Sequence, residues 1–251
     1  MTFSVLNWNI QHGRNHKTGF WPPLVTRARA QATLDSIAER ISSKDADIIA
    51  VQEIDKDSFL SGYFDQVQYL NARLHYPYVF YAPSCTIAFG ASVYESGTAI
   101  FSRFPLENCS SHRFGFTFPT DRMGFALADT TINNERVTIV CAHLTWIDWL
   151  HANVRKDQFI QMREALTSRA GRLIVAGDFN CDARDASLRS FMKELRLETH
   201  ELDEGGNETS HAWAPYERID WIFARDLHLN SYVTLPGILS DHLAILAKYT
   251  F

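Results

Sequence analysis

The sequence lacks several features that mark specialised classes of protein. Its four cysteines include no C-x-x-C pair, so we expect buried free thiols in a reducing compartment. No apolar run approaches the roughly 20 residues that span a bilayer. Met1 leads directly into an apolar stretch without a basic leader segment. These absences predict a cytoplasmic protein without a stable membrane anchor.

Positive charge is also scarce. The chain carries 24 Lys and Arg against 29 Asp and Glu, which gives a formal net charge of −5. No global positive field therefore attracts phosphate backbones, and any contact with nucleic acid must be local. No feature of the sequence indicates a protein partner.

The chain has the composition of an ordinary globular protein, with 251 residues of which 46% are hydrophobic and 21% charged. No repeat, low-complexity tract or long linker divides it, so we expect one domain over residues 1–251. Short runs rich in β-branched and aromatic residues predict ten strands, at residues 4–9, 48–52, 78–82, 97–102, 125–131, 136–142, 173–176, 218–224, 231–234 and 243–249. Helical spacing predicts helices at residues 25–42, 66–74, 152–168 and 187–194.

The order of these elements favours a mixed α/β class with much antiparallel sheet. Runs 125–131 and 136–142 are joined by a short turn, which is the pattern of a hairpin. Two sheets packed face to face with helices outside satisfy this order.

Six apolar runs end abruptly in a carboxylate, amide or imidazole. Buried charges without partners are costly, so such side chains gather round a metal, round one another or at a solvent-filled cleft. One such residue alone is usually a turn or core residue, but six runs together predict a common site. The runs end at Asn9, Gln52 with Glu53, His143, Asp178 with Asn180, Asp220, and Asp241 with His242.

Two of these segments have an internal logic. Asp178 and Asn180 lie two residues apart, so they share a face and address one water if strand geometry persists. Asp220 interrupts an apolar run and needs a donor, for which His242 is the candidate and Arg218 the alternative. A carboxylate partner would fix the tautomer of His242 and raise its pKa toward the range useful for acid–base chemistry.

Three further oxygen-bearing side chains suit a metal ion. Glu53, Asp241 and Asn9 offer the hard oxygen ligands that Mg²⁺ prefers while it keeps several waters. These side chains are therefore candidate ligands for such an ion.

In their order along the chain, these segments resemble the endonuclease/exonuclease/phosphatase superfamily, also called deoxyribonuclease I-like. The resemblance implies a four-layer α-β-β-α sandwich with two mixed β-sheets and hydrolysis of a phosphoester. It also implies a divalent metal, usually Mg²⁺, with Mn²⁺ as a substitute. Arg155 and Gln158 also fit the family pattern. The matching segments are residues 8–13 (WNIQHG), 51–53 (VQE), 96–103 (SGTAIFSR), 142–144 (AHL), 177–180 (GDFN), 218–222 (RIDWI) and 240–242 (SDH).

The resemblance assigns the metal side of the site. It implies that Glu53 is the main metal carboxylate, with Asn9 and Asp241 as further groups on the metal or phosphate side. In the family an acidic residue commonly orients the histidine equivalent to His143. Glu95, close to the predicted strand 97–102, is the candidate for that role.

The resemblance also assigns the proton-transfer and phosphate side. It implies that Asp178 and Asn180 orient and activate the attacking water, and that His143 hydrogen-bonds a phosphate oxygen in the transition state. His242, oriented by Asp220, is either a base or a second phosphate donor. Whether the aspartate or the histidine takes the proton of the water stays open at this level.

Substrate selection is expected in the loops, two of which are aromatic. Trp146 and Trp149 follow the His143 motif, and residues 114–118 read FGFTF. Such side chains near a phosphoesterase site stack on rings or contact lipid, although packing in the core or in an edge strand is their more common role. We assign Gln11, Trp146 and Trp149 as the candidate substrate-binding residues.

Three functions fit the sequence. The first is a phosphoesterase that hydrolyses a phosphodiester or phosphomonoester of a small molecule, phosphoinositide or lipid headgroup. The second is a nuclease or a tyrosyl-DNA phosphodiesterase-like enzyme, since a net charge of −5 opposes duplex binding but not binding of nucleic acid ends or single strands. The third, a non-catalytic binding module, is disfavoured because all the expected site residues are present.

Overall fold

The computed structural model describes residues 2–15, 24–90, 92–115, 123–147, 153–202 and 205–251. The helices are α1 (Arg27–Ser42), α2 (Gln66–Leu74), α3 (Val154–Thr167) and α4 (Ala186–Leu195). The strands are β1 (Thr2–Asn9), β2 (Ile48–Asp55), β3 (Tyr78–Phe89), β4 (Ser92–Ser102), β5 (Leu106–Arg113), β6 (Gly124–Ile132), β7 (Glu135–His143), β8 (Arg172–Asp178), β9 (Asp220–Arg225), β10 (His228–Leu235) and β11 (Ala244–Thr250).

These strands form two mixed sheets. The six-stranded sheet has the order β10-β11-β1-β2-β4-β3, and the five-stranded sheet has the order β5-β6-β7-β8-β9. Each sheet contains one parallel pair, β1 with β2 and β7 with β8, and its other pairs are antiparallel.

Alternation along the central strands produces four layers. Val5 of β1 and Ile139 of β7 lie in one apolar cluster between the sheets. The next residue in β1, Leu6, packs in a cluster with α1, and the next in β7, Val140, packs in a cluster with α3 and α4. The predicted α-β-β-α sandwich is therefore confirmed.

The predicted elements are present, with one addition. All ten strands and all four helices occur, but β3 continues to Phe89 and β4 begins at Ser92, well outside the predicted ranges 78–82 and 97–102. The hairpin between β6 and β7 turns at Asn133 and Asn134, both with positive φ. Strand β5 was missed. It is a largely exposed edge strand of sequence LENCSSHR, so it lacks the apolar alternation that reveals a strand.

Two predictions from absences are also tested. No helix in the described residues is long and apolar enough to cross a membrane. All four cysteines are free, and Cys85, Cys141 and Cys181 are buried. The expectation of burial is wrong for Cys109, which is exposed in the edge strand β5.

The topology brings the polar strand ends to one edge of the sandwich. Strands β1, β2, β7 and β8 run in two parallel pairs, so their carboxyl ends meet there. Strand β9 is antiparallel to β8, and Asp220 at its start pairs with Asp178. Strand β11 is antiparallel to β1, so the residues that precede it, including His242, reach the same edge.

Candidate functional site

Asn9 lies at the centre of this edge. It is fully buried, and its side-chain amide donates to Glu53 Oε1 at 3.0 Å and to Asp178 Oδ2 at 2.9 Å. Its Oδ1 accepts from the backbone N–H of Gln11 at 3.0 Å, which fixes the orientation of the amide. Asn9 thus joins two carboxylates from different sheets and presents N–H groups, rather than its oxygen, to them.

Glu53 reaches the site through an irregularity in β2. The register of β2 against β4 shifts between Gln52 and Ile54, and Glu53 has a φ of 52°. Such a bulge re-aims a side chain next to a functional site. The second oxygen, Oε2, lies 3.0 Å from His12 Nε2. Burial raises the pKa of the Glu53 carboxyl, but the charge of His12 and the other favourable contacts together lower it by more. The net pKa therefore lies well below its usual range.

His12 is a site residue that the sequence analysis missed. Its Nδ1 lies 2.7 Å from Oδ1 of Asp55, which is fully buried, while its Nε2 faces Glu53. Burial lowers the pKa of His12, but the charges of Asp55 and Glu53 raise it to about 10. The only sequence signal was its place in the WNIQHG segment, which does not show what the imidazole contacts.

Asp178 and Asn180 come together through a turn. Strand β8 ends at Asp178, and Asn180 has a φ of 50°, so the expected strand geometry does not persist to Asn180. Instead Asp178 Oδ1 accepts from the backbone N–H of Asn180 at 2.9 Å, and the Asn180 side-chain amide donates to Leu144 O at 2.8 Å. Both residues still line the same cleft.

The predicted pairing of Asp220 with His242 is confirmed. His242 Nδ1 lies 2.8 Å from Asp220 Oδ2, and both residues are buried. Arg218, the alternative partner, donates instead to the carbonyls of His200 and Glu201. Burial lowers the pKa of His242, but the charges of Asp220 and Asp178 raise it well above its ordinary value.

His143 occupies the end of β7, opposite His242. Its Nε2 lies 3.8 Å from Glu53 Oε1 and 3.7 Å from Asp178 Oδ2. The candidate partner Glu95 is not placed beside it: Glu95 lies in β4 and accepts a hydrogen bond from Thr86.

Asp241 and Gln11 form the remaining side of the site. The Gln11 side-chain amide donates to Asp241 Oδ2 at 2.9 Å, and Ser240 Oγ lies 3.2 Å from Asp241 Oδ1. Gln11 lines the cleft as expected of a substrate-binding residue, but its amide is engaged with this carboxylate. Burial and the charge of Glu53 raise the pKa of the Asp241 carboxyl.

The expected helix residues Arg155 and Gln158 support the site from below. Arg155 donates to Asn180 O at 2.9 Å and pairs with Asp185 at 3.0 Å. The Gln158 side chain accepts from the backbone N–H of Thr145, two residues after His143. Both side chains therefore hold the loops that carry site residues.

The donor set fits a hard divalent cation. Glu53, Asp178 and Asp241 crowd one cleft, and burial together with the charge of Asp220 raises the pKa of Asp178 to about 6. A cation relieves such crowding of oxygen ligands. Asp178, Asp220 and His242 also place ligand atoms within 4.8 Å of one another, but Nδ1 of His242 is already engaged by Asp220. Glu53 and Asp241 offer further carboxylate oxygens in the same cleft.

A cleft of about 480 Å³ is lined by Glu53, Asp178, Asp241 and His242, together with His143 and Asn180. Trp146 is at its wall and is 51% exposed, which agrees with a substrate-facing position. Trp149 lies outside the described residues, as do residues 116–118 of the second aromatic segment, whose Phe114 packs in the core. The wall also carries His211 and Tyr216, aromatic residues that sequence reasoning missed because they lie in a loop without a strand or helix pattern.

A sequence model of the Endonuclease/Exonuclease/phosphatase family matches residues 6–242. No curated protein matches the chain at a significant level. Solved structures share its fold. An endonuclease/exonuclease/phosphatase from Beutenbergia cavernae has 17% identity and a TM-score of 0.79, over 100% of this chain and 72% of that one.

Two other similar structures have described activities or ligands. A mannosyl-6-phosphatase from Bacteroides thetaiotaomicron has 17% identity and a TM-score of 0.71, over 99% of this chain and 100% of that one. TDP2 from D. rerio, complexed with a single-strand DNA product, has 17% identity and a TM-score of 0.71, over 100% of this chain and 99% of that one.

Proposed function

Since the chain belongs to the Endonuclease/Exonuclease/phosphatase family, whose members hydrolyse phosphoester bonds, we propose that it is a divalent-metal-dependent phosphoesterase. One observation carries the proposal. Oδ2 of Asp178 lies 2.9 Å from Asn9 Nδ2 and 3.7 Å from Nε2 of both His143 and His242. A buried carboxylate oxygen that faces an amide and two imidazoles at a cleft floor is suited to proton transfer rather than to packing.

The metal side consists of Glu53 and Asp241. Their oxygens would hold the cation, Mg²⁺ by preference and Mn²⁺ as a substitute, and Asn9 keeps Glu53 in place. When bound, the cation supplies Lewis-acid polarisation of the phosphoryl group and neutralises its charge.

The other residues act on the water and the phosphate. Asp178 and Asn180 orient a water for in-line attack on phosphorus, and the proton of the water passes to the Asp178 and His242 pair, whose facing atoms are 3.7 Å apart. The bond between phosphorus and the leaving oxygen breaks. The leaving oxygen takes a proton from solvent water and departs as an alcohol, while the pair releases the proton that it accepted to solvent. His143 donates to a non-bridging oxygen, and Asp220 holds the ring of His242.

The cleft favours a small phosphoester over a polynucleotide. Its volume of about 480 Å³ suits a small molecule. Among its described lining residues Arg14 is the single arginine or lysine, whereas four are acidic. A long phosphate backbone needs several cations along its track.

A DNA end or single strand is the second candidate substrate. The solved TDP2 structure with a single-strand DNA product has the same fold, and exposed aromatic residues line this cleft as they do in proteins that stack nucleobases. A short end makes fewer phosphate contacts than a duplex, so the acidic cleft opposes it less.

A turnover panel tests the proposal. Purified protein with Mg²⁺ is offered sugar phosphates, phosphoinositides, single-stranded and nicked DNA, a 5′-tyrosyl DNA end and a chromogenic phosphodiester. Glu53→Gln and His242→Ala are compared with Glu194→Gln, an exposed carboxylate of α4 outside the cleft. We expect Mg²⁺-dependent turnover that both site variants lose and the control keeps. Equal turnover with excess chelator, or none with any ester, would contradict the proposal and in the second case favour a binding module.

A further inference from the structure

Three aromatic side chains beside the cleft have no part in the proposed reaction: His211 and Tyr216 line it, and Trp213 stacks on His211. The ring of His211 stacks on Trp213 with centroids 4.7 Å apart and planes 7° apart, and the Tyr216 ring lies 5.6 Å from His211. Trp213 is 51% exposed and Tyr216 is 62% exposed. Exposed aromatic surface at a cleft mouth marks a ligand-binding surface.

This aromatic group is fixed to the backbone of the site. Ala212 N–H donates to Asp241 O at 2.7 Å, and Leu243 N–H donates to Thr209 O at 2.8 Å. Within the loop, Tyr216 N–H donates to Ser210 O at 2.9 Å. Main-chain hydrogen bonds therefore hold the segment that carries the three rings against the segment that carries Asp241 and His242. These bonds fix the distance of the rings from the site residues.

We infer that His211, Trp213 and Tyr216 bind a ring of the organic group esterified to the phosphate, either a nucleobase or a sugar with an apolar face. The inference rests on the proposed function. Charge supports a neutral ring at this place, because the carboxylate of Glu217 lines the same wall. Exposed aromatic faces bind planar or apolar ring faces by stacking.

Three esters that differ in the organic group test this inference. A nucleoside 5′-phosphate, a hexose 6-phosphate and glycerol 3-phosphate are assayed as monoesters and as methyl diesters. For Tyr216→Ala we expect the KM for one of the ring-bearing esters to rise about 5- to 100-fold, the range for one lost stack, with kcat within about twofold. The KM for glycerol 3-phosphate stays unchanged. Tyr216→Phe retains the ring and the low KM, and Tyr63→Ala, which removes a 55% exposed tyrosine outside the cleft, has no effect.

The outcomes separate this inference from the proposed function. An equal rise in KM for all three esters, or no rise for any, would overturn the ring subsite. If the wild-type protein turns over no ester, the proposed function fails, and quenching of tryptophan fluorescence by the same esters then tests the subsite alone. If a ring-bearing ester quenches the fluorescence of the wild type and Tyr216→Ala abolishes this quenching, the ring subsite is supported. No quenching by any ester would overturn the subsite.

A second, independent observation concerns the turn at Gln11–Gly13. Its three residues all have positive φ, at 48°, 55° and 69°. A non-glycine residue in this region is strained, and such residues cluster at functional sites. The turn directs Gln11 to Asp241 and His12 to Glu53, so two consecutive side chains reach the two carboxylates of the proposed metal side.

The contacts of His12 continue into the core behind it. Asp55 accepts at Nδ1 and is fully buried, and Gln66, also fully buried, bridges the two backbones. The Gln66 side chain donates to His12 O at 2.8 Å and accepts from Asp55 N–H at 3.0 Å. A histidine fixed on both sides in this way restricts the rotation of the Glu53 carboxylate.

We propose that His12 is a positioning residue that holds Glu53 in the orientation needed to bind the metal. This proposal also rests on the proposed function. Residues that orient metal ligands from behind typically change metal affinity by about 10- to 100-fold when they are removed.

Mn²⁺ binding measured by the electron paramagnetic resonance of free Mn²⁺ tests the role of His12 without turnover. For His12→Ala we expect affinity to fall about 10- to 100-fold. His12→Gln, which retains an N–H donor, restores part of it, and His228→Ala, at an exposed histidine of β10, changes nothing. In turnover, the Mg²⁺ concentration for half activation rises while kcat at saturation changes less. Unchanged affinity in both His12 variants would overturn the positioning role, whereas absence of Mn²⁺ binding in the wild type would overturn the metal site itself.

Discussion

Asp129 and Asp178 belong to the same five-stranded sheet and are almost equally buried, at 2% and 1% exposed. Their pKa values nevertheless move in opposite directions. Asp129 lies in β6 and pairs in register with Thr138. Because Thr138 is five residues before His143 along β7, Asp129 lies away from the cleft edge. The pair shows how the same side chain at the same burial stabilises the fold in one place and serves the site in another.

Asp129 is surrounded by donors. It accepts from Thr138 and Arg169 at 2.8 Å each, from Asn108 at 3.0 Å and from Arg136 at 2.5 Å. Burial raises the pKa of its carboxyl, but the hydrogen bonds from Arg136 and the other donors lower it by more, so the net pKa is below its ordinary value. This carboxylate is compensated by the protein alone.

Asp178 is surrounded by groups that do not fully compensate it. It accepts from Asn9 and from the backbone of Asn180, but Asp220 and Glu53 crowd the same edge. Burial and the charge of Asp220 raise its pKa to about 6 against the effect of the histidines. The excess negative charge at this edge is what a divalent cation would offset.

The largest expected effect is on activity at Asp178. Because Asp178→Asn removes the carboxylate that faces the water and both imidazoles, we expect kcat/KM to fall about 100- to 10,000-fold. Asp129→Asn is the matched control and retains kcat/KM within a few fold at a temperature where it is folded. Steady-state kinetics on the best ester of the panel measure both variants. A comparable loss of kcat/KM in the two would contradict a specific role of Asp178 in the reaction.

The next effect is on the stability of the Asp129 region. Asp129→Asn removes the charge that two arginines and two neutral donors address, so the free energy of unfolding should fall by about 1–3 kcal/mol at pH 7. Urea denaturation followed by fluorescence measures it. No loss would mean that Arg136 and Arg169 are equally well hydrogen-bonded by water when the charge is absent.

The dependence of that loss on pH sharpens the comparison. The folded-state pKa of Asp129 is below its unfolded value, so its stabilising contribution is complete above the unfolded pKa of about 4 and disappears as pH falls through the folded pKa. The difference in stability between wild type and Asp129→Asn should therefore be constant from pH 7 to about 5 and shrink below about 4. A difference that grows on acidification would contradict the assignment.

The smallest effect is a gain in stability at the site. Asp178→Asn removes one of several mutually repelling carboxylates. In chelator at pH 7, the free energy of unfolding of the variant should therefore be about 1 kcal/mol higher than that of the wild type. Thermal unfolding in chelator measures this gain, and Mg²⁺ should reduce it because the cation stabilises the wild-type cluster more. A loss of stability in chelator would show that Asp178 is a structural residue like Asp129.

Much of this arrangement was predictable from local sequence. Apolar runs with polar ends predicted both the strands and the residues that meet at their edge, because the change from apolar to polar residues is visible within each run. The pairing of Asp220 with His242 followed from one carboxylate in an apolar run that needed a donor.

The missed features depend on contacts distant in the chain. His12 meets Asp55, 43 residues away, through a left-handed turn that no periodic pattern reveals. Strand β5 is defined by its pairing with β6 rather than by its own polar sequence. The rings of His211 and Tyr216 are brought to the cleft by hydrogen bonds of an irregular loop.

Mg²⁺ titration of phosphoester hydrolysis tests the central claim most directly. We expect turnover to fall to background in chelator and to return with Mg²⁺. At every Mg²⁺ concentration, turnover by Asp178→Asn and by Glu53→Gln should stay about 100-fold or more below that of the wild type, while Asp129→Asn responds to Mg²⁺ like the wild type. Hydrolysis that proceeds equally in chelator, or that survives in Glu53→Gln, would contradict it.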